Sequence, residues 1–187
     1  PIIRMNIHQS ATPILIVVVP LITSFVLPVL GWWNRRLVFP VSLFALSCSF
    51  GLALVLARRV LNTGPVQYFM GGWEPPWGIA FHIDHLAALM LLLLTFVTLL
   101  VGIYSKKSIV KEVPDQEVPF YSVYLILASG LTGLVSTADM FNLYVFLEIT
   151  SLSCYALVSL GGGVAVVSAF RYVILGTVGA AFYLLSV

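Results

Sequence analysis

The sequence predicts an all-α, polytopic membrane bundle of about six spans, and three observations carry that expectation. Hydrophobic residues make up 60% of the 187 residues and charged residues only 9%. A water-soluble domain carries roughly 25% charged residues, so this chain lacks the side chains to cover itself for water. The mean hydropathy is +1.08. Finally, the apolar residues gather into six stretches close to the roughly 20-residue length that crosses hydrocarbon.

The first stretch, residues 11–30, contains Pro13, Pro20 and Pro28 and closes on Gly31, Trp32 and Trp33. It is long and has no small-residue cleavage site near its end, so it reads as a retained span and not a cleaved signal peptide. The chain opens on Pro1, which is no initiator, so the expected start is either Met5 or a residue upstream. The second stretch, 37–57, is closed by Arg58 and Arg59. An aromatic loop fills 60–85, with turn signals at Gly71-Gly72 and Pro75-Pro76. Its flanks, VQYFM and GIAFHI, predict a short hairpin between spans 2 and 3.

Span 3 covers 86–104 and is followed by Lys106 and Lys107 within the polar linker 105–119. Spans 4 and 5 cover 120–138 and 140–160, and span 6 covers 164–187 after a Gly161-Gly162-Gly163 turn. The expectation is one membrane domain over 1–187. Tryptophan and tyrosine at several span ends fit an interfacial aromatic belt. Lys and Arg are unevenly divided. Arg35, Arg36, Lys106, Lys107 and Lys111 lie in loops 1–2 and 3–4, whereas Arg4, Arg58 and Arg59 lie on the other side. With the plasma membrane as the expected location, the positive-inside rule puts the N-terminus and the hairpin outside and the linker around Lys106 in the cytoplasm.

Composition excludes several function classes. A net charge of +2 offers no nucleic-acid footprint. Cys48 and Cys154 lie in apolar runs and read as small buried hydrophobes. There is no CxxC pair, zinc-spaced His/Cys cluster or glycine-rich phosphate loop, so no metal and no cofactor is expected. Asp84 and Asp139 precede spans 3 and 5 and read as helix caps. His82 and His85 read as interfacial polar residues, and Glu74 as an ordinary loop residue.

Two ionisable residues fall well within spans: Glu148 and Arg171. A carboxylate at the bilayer centre costs about 2.5–3.5 kcal/mol even on insertion scales. On a helical wheel, Tyr144, Ser151, Tyr155 and Ser159 fall within about 60° of Glu148, giving span 5 a polar stripe. Such a stripe belongs toward a bundle interior or a hydrated path. Spans 5 and 6 are antiparallel neighbours, and span lengths place Arg171 roughly 8 Å from Glu148 along the membrane normal. Gly176, Gly179 and Ala180 permit a close approach of span 6. From the residues alone, a structural ion pair and a proton or ion pathway both remain open. Burial favours a protonated carboxyl and a nearby cation opposes it; arginine stays charged and relays no proton.

The run DMFNLYVFLEITSLSCYALVSL, residues 139–160, resembles the antiporter-like subunits of respiratory complex I, of multisubunit sodium/proton antiporters and of membrane-bound hydrogenase-type complexes. FHIDHLAALMLLLLTFVTLLVGIYS, 81–105, is similar to that family's span 3, and FRYVILGTVGAAFYLLSV, 170–187, to its span 6. The resemblance implies that Glu148 matches an essential glutamate and that Arg171 stands where many relatives have lysine. It also implies about fourteen spans with two inverted five-helix repeats, so this chain matches an N-terminal portion or one half of a split subunit. The partner lysine would lie in a seventh span.

The resulting expectation is proton or cation translocation within a multisubunit membrane complex, redox-driven or by sodium/proton antiport. Glu148 would bind the proton, Arg171 would be its charge partner, and Tyr144, Ser151 and Tyr155 would line the hydrated path. Expected partners are other membrane subunits, the bilayer, H+ and, as a second candidate ion, Na+. The chain shows no active-site chemistry of its own, and the resemblance allows an NADH-quinone oxidoreductase or hydrogenase-type parent complex. The rival is a truncated or split scaffold that docks neighbouring subunits without transporting. A stand-alone solute carrier fits poorly, because the six spans show no internal repeat or substrate-sized polar cluster.

Overall fold

The computed structural model describes residues 11–73, 77–113 and 115–186. Arg4, Met5, Glu74 and the Pro75-Pro76 turn lie outside the described residues. Six long helices follow one another: α1 Thr12–Trp33, α2 Val38–Thr63, α3 His85–Glu112, α4 Glu117–Ser136, α5 Met140–Ser159 and α6 Val164–Ser186. All six are long and apolar enough to span a membrane. Between α2 and α3, β1 Val66–Phe69 and β2 Ala80–Ile83 form the expected antiparallel hairpin, with Val66 opposite Ile83 and Phe69 opposite Ala80.

Two helices outrun the predicted spans. Arg58 and Arg59 do not stop α2, because arginine is a good helix former. The helix ends at Gly64, whose φ of 88° suits only glycine, just before Pro65. Likewise α3 passes Lys106 and Lys107 and ends at Glu112. Its last turns thus project beyond the apolar stretch.

Helix α4 is the centre of the bundle. Half of its apolar window is buried, against 11% for α5 and α6. It packs against α1, α2, α3 and α5, while α6 touches chiefly α5. One core, near the hairpin, joins Ile16, Leu56, Val60, Ile83 and Leu91. A second, toward the opposite membrane face, joins Leu27, Val38, Leu46, Tyr121 and Leu125.

The bundle is inverted relative to a water-soluble one. Ser24, Ser42, Ser49, Thr95, Thr98, Ser129, Thr132 and Ser136 are buried, while Ile22, Phe25, Phe44, Leu93, Leu175 and Phe182 are exposed. In lipid the apolar outer face costs nothing, and small hydroxylated residues let helix backbones approach. The α1 prolines illustrate this. Pro20 has no N–H for the carbonyl of Ile16. Ser49 of α2 donates to that carbonyl at 3.5 Å, and Ser129 of α4 donates to the next one, Val17, at 2.8 Å. Neighbouring helices thereby satisfy the broken stretch, as hydrocarbon requires.

Candidate functional site

The site is built from the start of α5. Asp139 caps that helix, accepting from the Asn142 N–H at 2.6 Å, and the Asn142 amide donates to Thr137 Oγ1 at 2.9 Å. The Ala138 N–H donates to the carbonyl of Ala80 in β2 at 2.9 Å, and Phe81 bridges to Thr137. The hairpin therefore holds the α4–α5 turn and with it the beginning of α5. Asp84 caps α3 in the same way, accepting from the Ala87 N–H at 2.7 Å. His85 is exposed beside it and His82 is half-buried on β2.

Glycines then fix the rotation of α5. A Cβ at Gly130 would meet Thr150 Oγ1 at 2.5 Å, and one at Gly133 would run into the Phe146 ring. Phe146, Thr150 and the buried Asn142 and Ser153 therefore form the face toward α4. That rotation leaves the Tyr144–Glu148–Ser151–Tyr155 stripe for α6. Two ring pairs mark the contact: Tyr144 stacks with Tyr183 at 6.3 Å and Tyr155 with Tyr172 at 6.4 Å. The Tyr155 hydroxyl lies over Gly176, and the Tyr183 hydroxyl donates to the Met140 carbonyl at 3.2 Å. Ala180 is buried on the same side of α6, whereas a Cβ at Gly179 would meet nothing.

Glu148 is half-buried between these ring pairs, and Ser151 is half-buried on the same stripe. Arg171 is exposed on α6. Among the described residues, no salt bridge joins the two. The ring pairs explain why. Because Tyr144 is level with Tyr183, four residues on Glu148 is level with Gly179. Because Tyr155 is level with Tyr172, Arg171 is level with Ala156. Eight residues of helix then separate the two charged side chains along the axis, about 12 Å, more than the offset expected from span lengths. Side chains lean toward the N-terminus of their own helix, so an antiparallel pair in this order leans apart.

Cys154 is exposed on α5 and Cys48 only partly covered, so the expectation of two buried thiols fails. Four residues on, the same α5 face carries the exposed Val158, and a thiol is apolar enough for such a face. Sequence reasoning also missed a hydroxyl ladder between α3 and α4. Tyr121 shares a hydrogen bond with Ser105 at 3.0 Å, and Tyr124 donates to the Thr98 carbonyl at 2.7 Å. The signal was the i, i+3 tyrosine pair on one face of α4.

Comparisons with known proteins find similar chains in membrane complexes. A family model described as NADH-ubiquinone oxidoreductase (complex I), chain 5 N-terminus, matches residues 76–107. An NADH-quinone oxidoreductase subunit of Desulforudis audaxviator is 39% identical over 94% of this chain and 35% of its own length. A Na(+)/H(+) antiporter subunit of Bacillus subtilis is 29% identical over 93% of this chain and 35% of its own. Among solved structures, a chain of the membrane-bound sulfane sulfur reductase, an archaeal respiratory membrane complex, superposes with a TM-score of 0.88 at 33% identity. That match covers 94% of this chain and 36% of the other. A chain of the Mrp complex from Dietzia sp. shares the fold, with a TM-score of 0.79 at 21% identity over 95% of this chain and 33% of its own. The chain thus spans about a third of the length of the relatives it matches.

Proposed function

The chain belongs with the antiporter-like subunits of complex I-type and multisubunit sodium/proton antiporter complexes, and from that premise we propose that it supplies the proton-binding carboxylate of a cation-translocating membrane subunit. The carboxylate is Glu148. The observation that carries the proposal is its setting: half-buried in mid-span, on the stripe between Tyr144 and Tyr155 that meets α6, with no salt bridge to Arg171. A purely structural acid would need a counter-ion to offset its desolvation, and the described helices provide none in contact. An ionisable residue within a membrane span is a functional-site candidate by default, with or without a partner on a span beyond these six.

In this mechanism a proton enters along Tyr144, Ser151 and Tyr155, whose hydroxyls both donate and accept. Gly179, level with Glu148, leaves open space where a side chain would stand, and the proposed hydrated path would use it. Glu148 takes up the proton and releases it when charge moves in a neighbouring part of the complex. Arg171 acts from about 12 Å as a fixed positive charge and relays nothing. H+ is the ion named here, and Na+ is the alternative that a carboxylate also serves. The subunit sits in the plasma membrane with its N-terminus and hairpin external and the Arg35/Lys106 end cytoplasmic.

One observation favours a second reading, a docking scaffold. The outer face of α6 exposes Phe170, Ile174, Leu175, Phe182 and Leu185 around Arg171, a charge that needs protein or water about it in a membrane. Glu148→Gln in the full-length subunit within its assembled complex separates the two. Lost transport with assembly intact supports the proton site, lost assembly supports the scaffold, and unchanged transport removes Glu148 from the mechanism.

A further inference from the structure

The cationic end of the bundle holds a cavity that the translocation reading does not use. It has a volume of about 480 Å³ and is walled by Arg35, Arg36, Phe39, Lys106, Ile109 and Tyr121. The start of α2, the last turns of α3 and the start of α4 meet there. The Lys106 ammonium lies 4.5 Å from the centre of the Phe39 ring, so an aromatic face holds it in place. Phe39 and Tyr121 pack edge to face at 5.8 Å and form the floor. Glu117 is also in the wall, leaving three cations against one carboxylate. Arg35 reaches out to Asp115 at 2.7 Å, an exposed pair that an incoming anion can displace at little cost. Arg36 and Lys106 have no such carboxylate partner among the described residues.

We propose that this cavity binds the phosphate headgroup of an anionic phospholipid. Two features favour a lipid over a free anion. First, the site opens at headgroup depth: Trp32 and Trp33 at the end of α1 and Tyr104 on α3 are exposed at the same end of the bundle, where an aromatic belt lies. Second, the lining is mixed. Arg35, Arg36 and Lys106 supply positive charge for a phosphate, while Phe39, Pro40 and Ile109 add apolar surface for the glycerol and upper acyl carbons. A basic pocket between spans on the cytoplasmic side is the geometry that anionic headgroups require.

The test uses the full-length protein in nanodiscs of phosphatidylcholine doped with phosphatidylglycerol, with native mass spectrometry counting retained lipid. The wild type should keep one phosphatidylglycerol in preference to phosphatidylcholine. Arg36→Gln with Lys106→Gln should weaken retention roughly thirtyfold, from about 1 kcal/mol for each charge near the surface. Arg58→Gln, at the opposite membrane face, should leave it unchanged. Arg36→Lys with Lys106→Arg keeps both charges and should retain the lipid, which separates charge loss from misfolding. Equal retention by the wild type and the double Gln variant would overturn the proposal. So would displacement of the lipid by millimolar inorganic phosphate, which would assign the cavity to a free anion.

Discussion

Gly133→Ala is the perturbation that most directly probes how Glu148 comes to face α6. The added methyl would stand 2.6 Å from Cζ of Phe146 and closer still to two other ring atoms. Ordinary contact begins near 3.4 Å, so α5 must back away from α4 or the ring must leave its place. Overpacking of this kind costs about 1–3 kcal/mol. Replacing a helical glycine by alanine also stabilises by about 1 kcal/mol, which blurs the raw value. Gly179→Ala removes that ambiguity, because it is also a helix-interior glycine and its methyl would meet nothing. The difference between the two variants should therefore be about 1–3 kcal/mol, with Gly133→Ala the weaker. Unfolding in mixed micelles of rising SDS fraction measures it. Adding Phe146→Leu to Gly133→Ala should recover part of the loss, because the two sites share one contact. Equal stabilities for Gly133→Ala and Gly179→Ala would refute the α4–α5 crossing, and with it the assignment of the Glu148 stripe to α6.

Other substitutions read separate parts of the account. Asp139→Ala removes the α5 cap and should cost about 1 kcal/mol, measured by the same unfolding assay, with Asp139→Asn retaining most of it. Tyr124→Phe loses its hydrogen bond to the Thr98 carbonyl and should cost about 0.6 kcal/mol, the average for hydrogen bonds inside membranes. Arg171→Gln combined with Glu148→Gln in a double-mutant cycle on stability, read by the same unfolding assay, should show a coupling of about 1 kcal/mol, from charges about 12 Å apart at an effective dielectric of about 20. A coupling near 4 kcal/mol, as for charges about 4 Å apart, would mean that the two side chains touch in the working protein.

Much of the fold was legible because bilayer thickness sets a length and apolar runs reveal it. The caps were legible too, since Asp84 and Asp139 are short acceptors placed just before apolar runs. Helix ends were less so: charged residues mark where lipid stops, not where a helix stops, and α2 and α3 continue past Arg59 and Lys107. The polar stripe on α5 followed from periodicity alone. Its neighbour did not. Whether the stripe faces α4 or α6 depends on Gly130 and Gly133, which offer a close approach to α4, and single-helix patterns do not say which helix accepts it. The separation of Glu148 from Arg171 was misjudged for a related reason. Span lengths fix helix ends only loosely, whereas the register is set by tyrosine rings that pair across the two helices.

The central claim is that Glu148 binds the translocated proton, and proton movement itself is the measurement that tests it. The full-length subunit in its assembled complex, in inverted vesicles carrying a pH-sensitive dye, should lose proton translocation with Glu148→Gln and keep a measurable part with Glu148→Asp, at unchanged complex abundance. Full proton translocation by assembled Glu148→Gln would contradict the account.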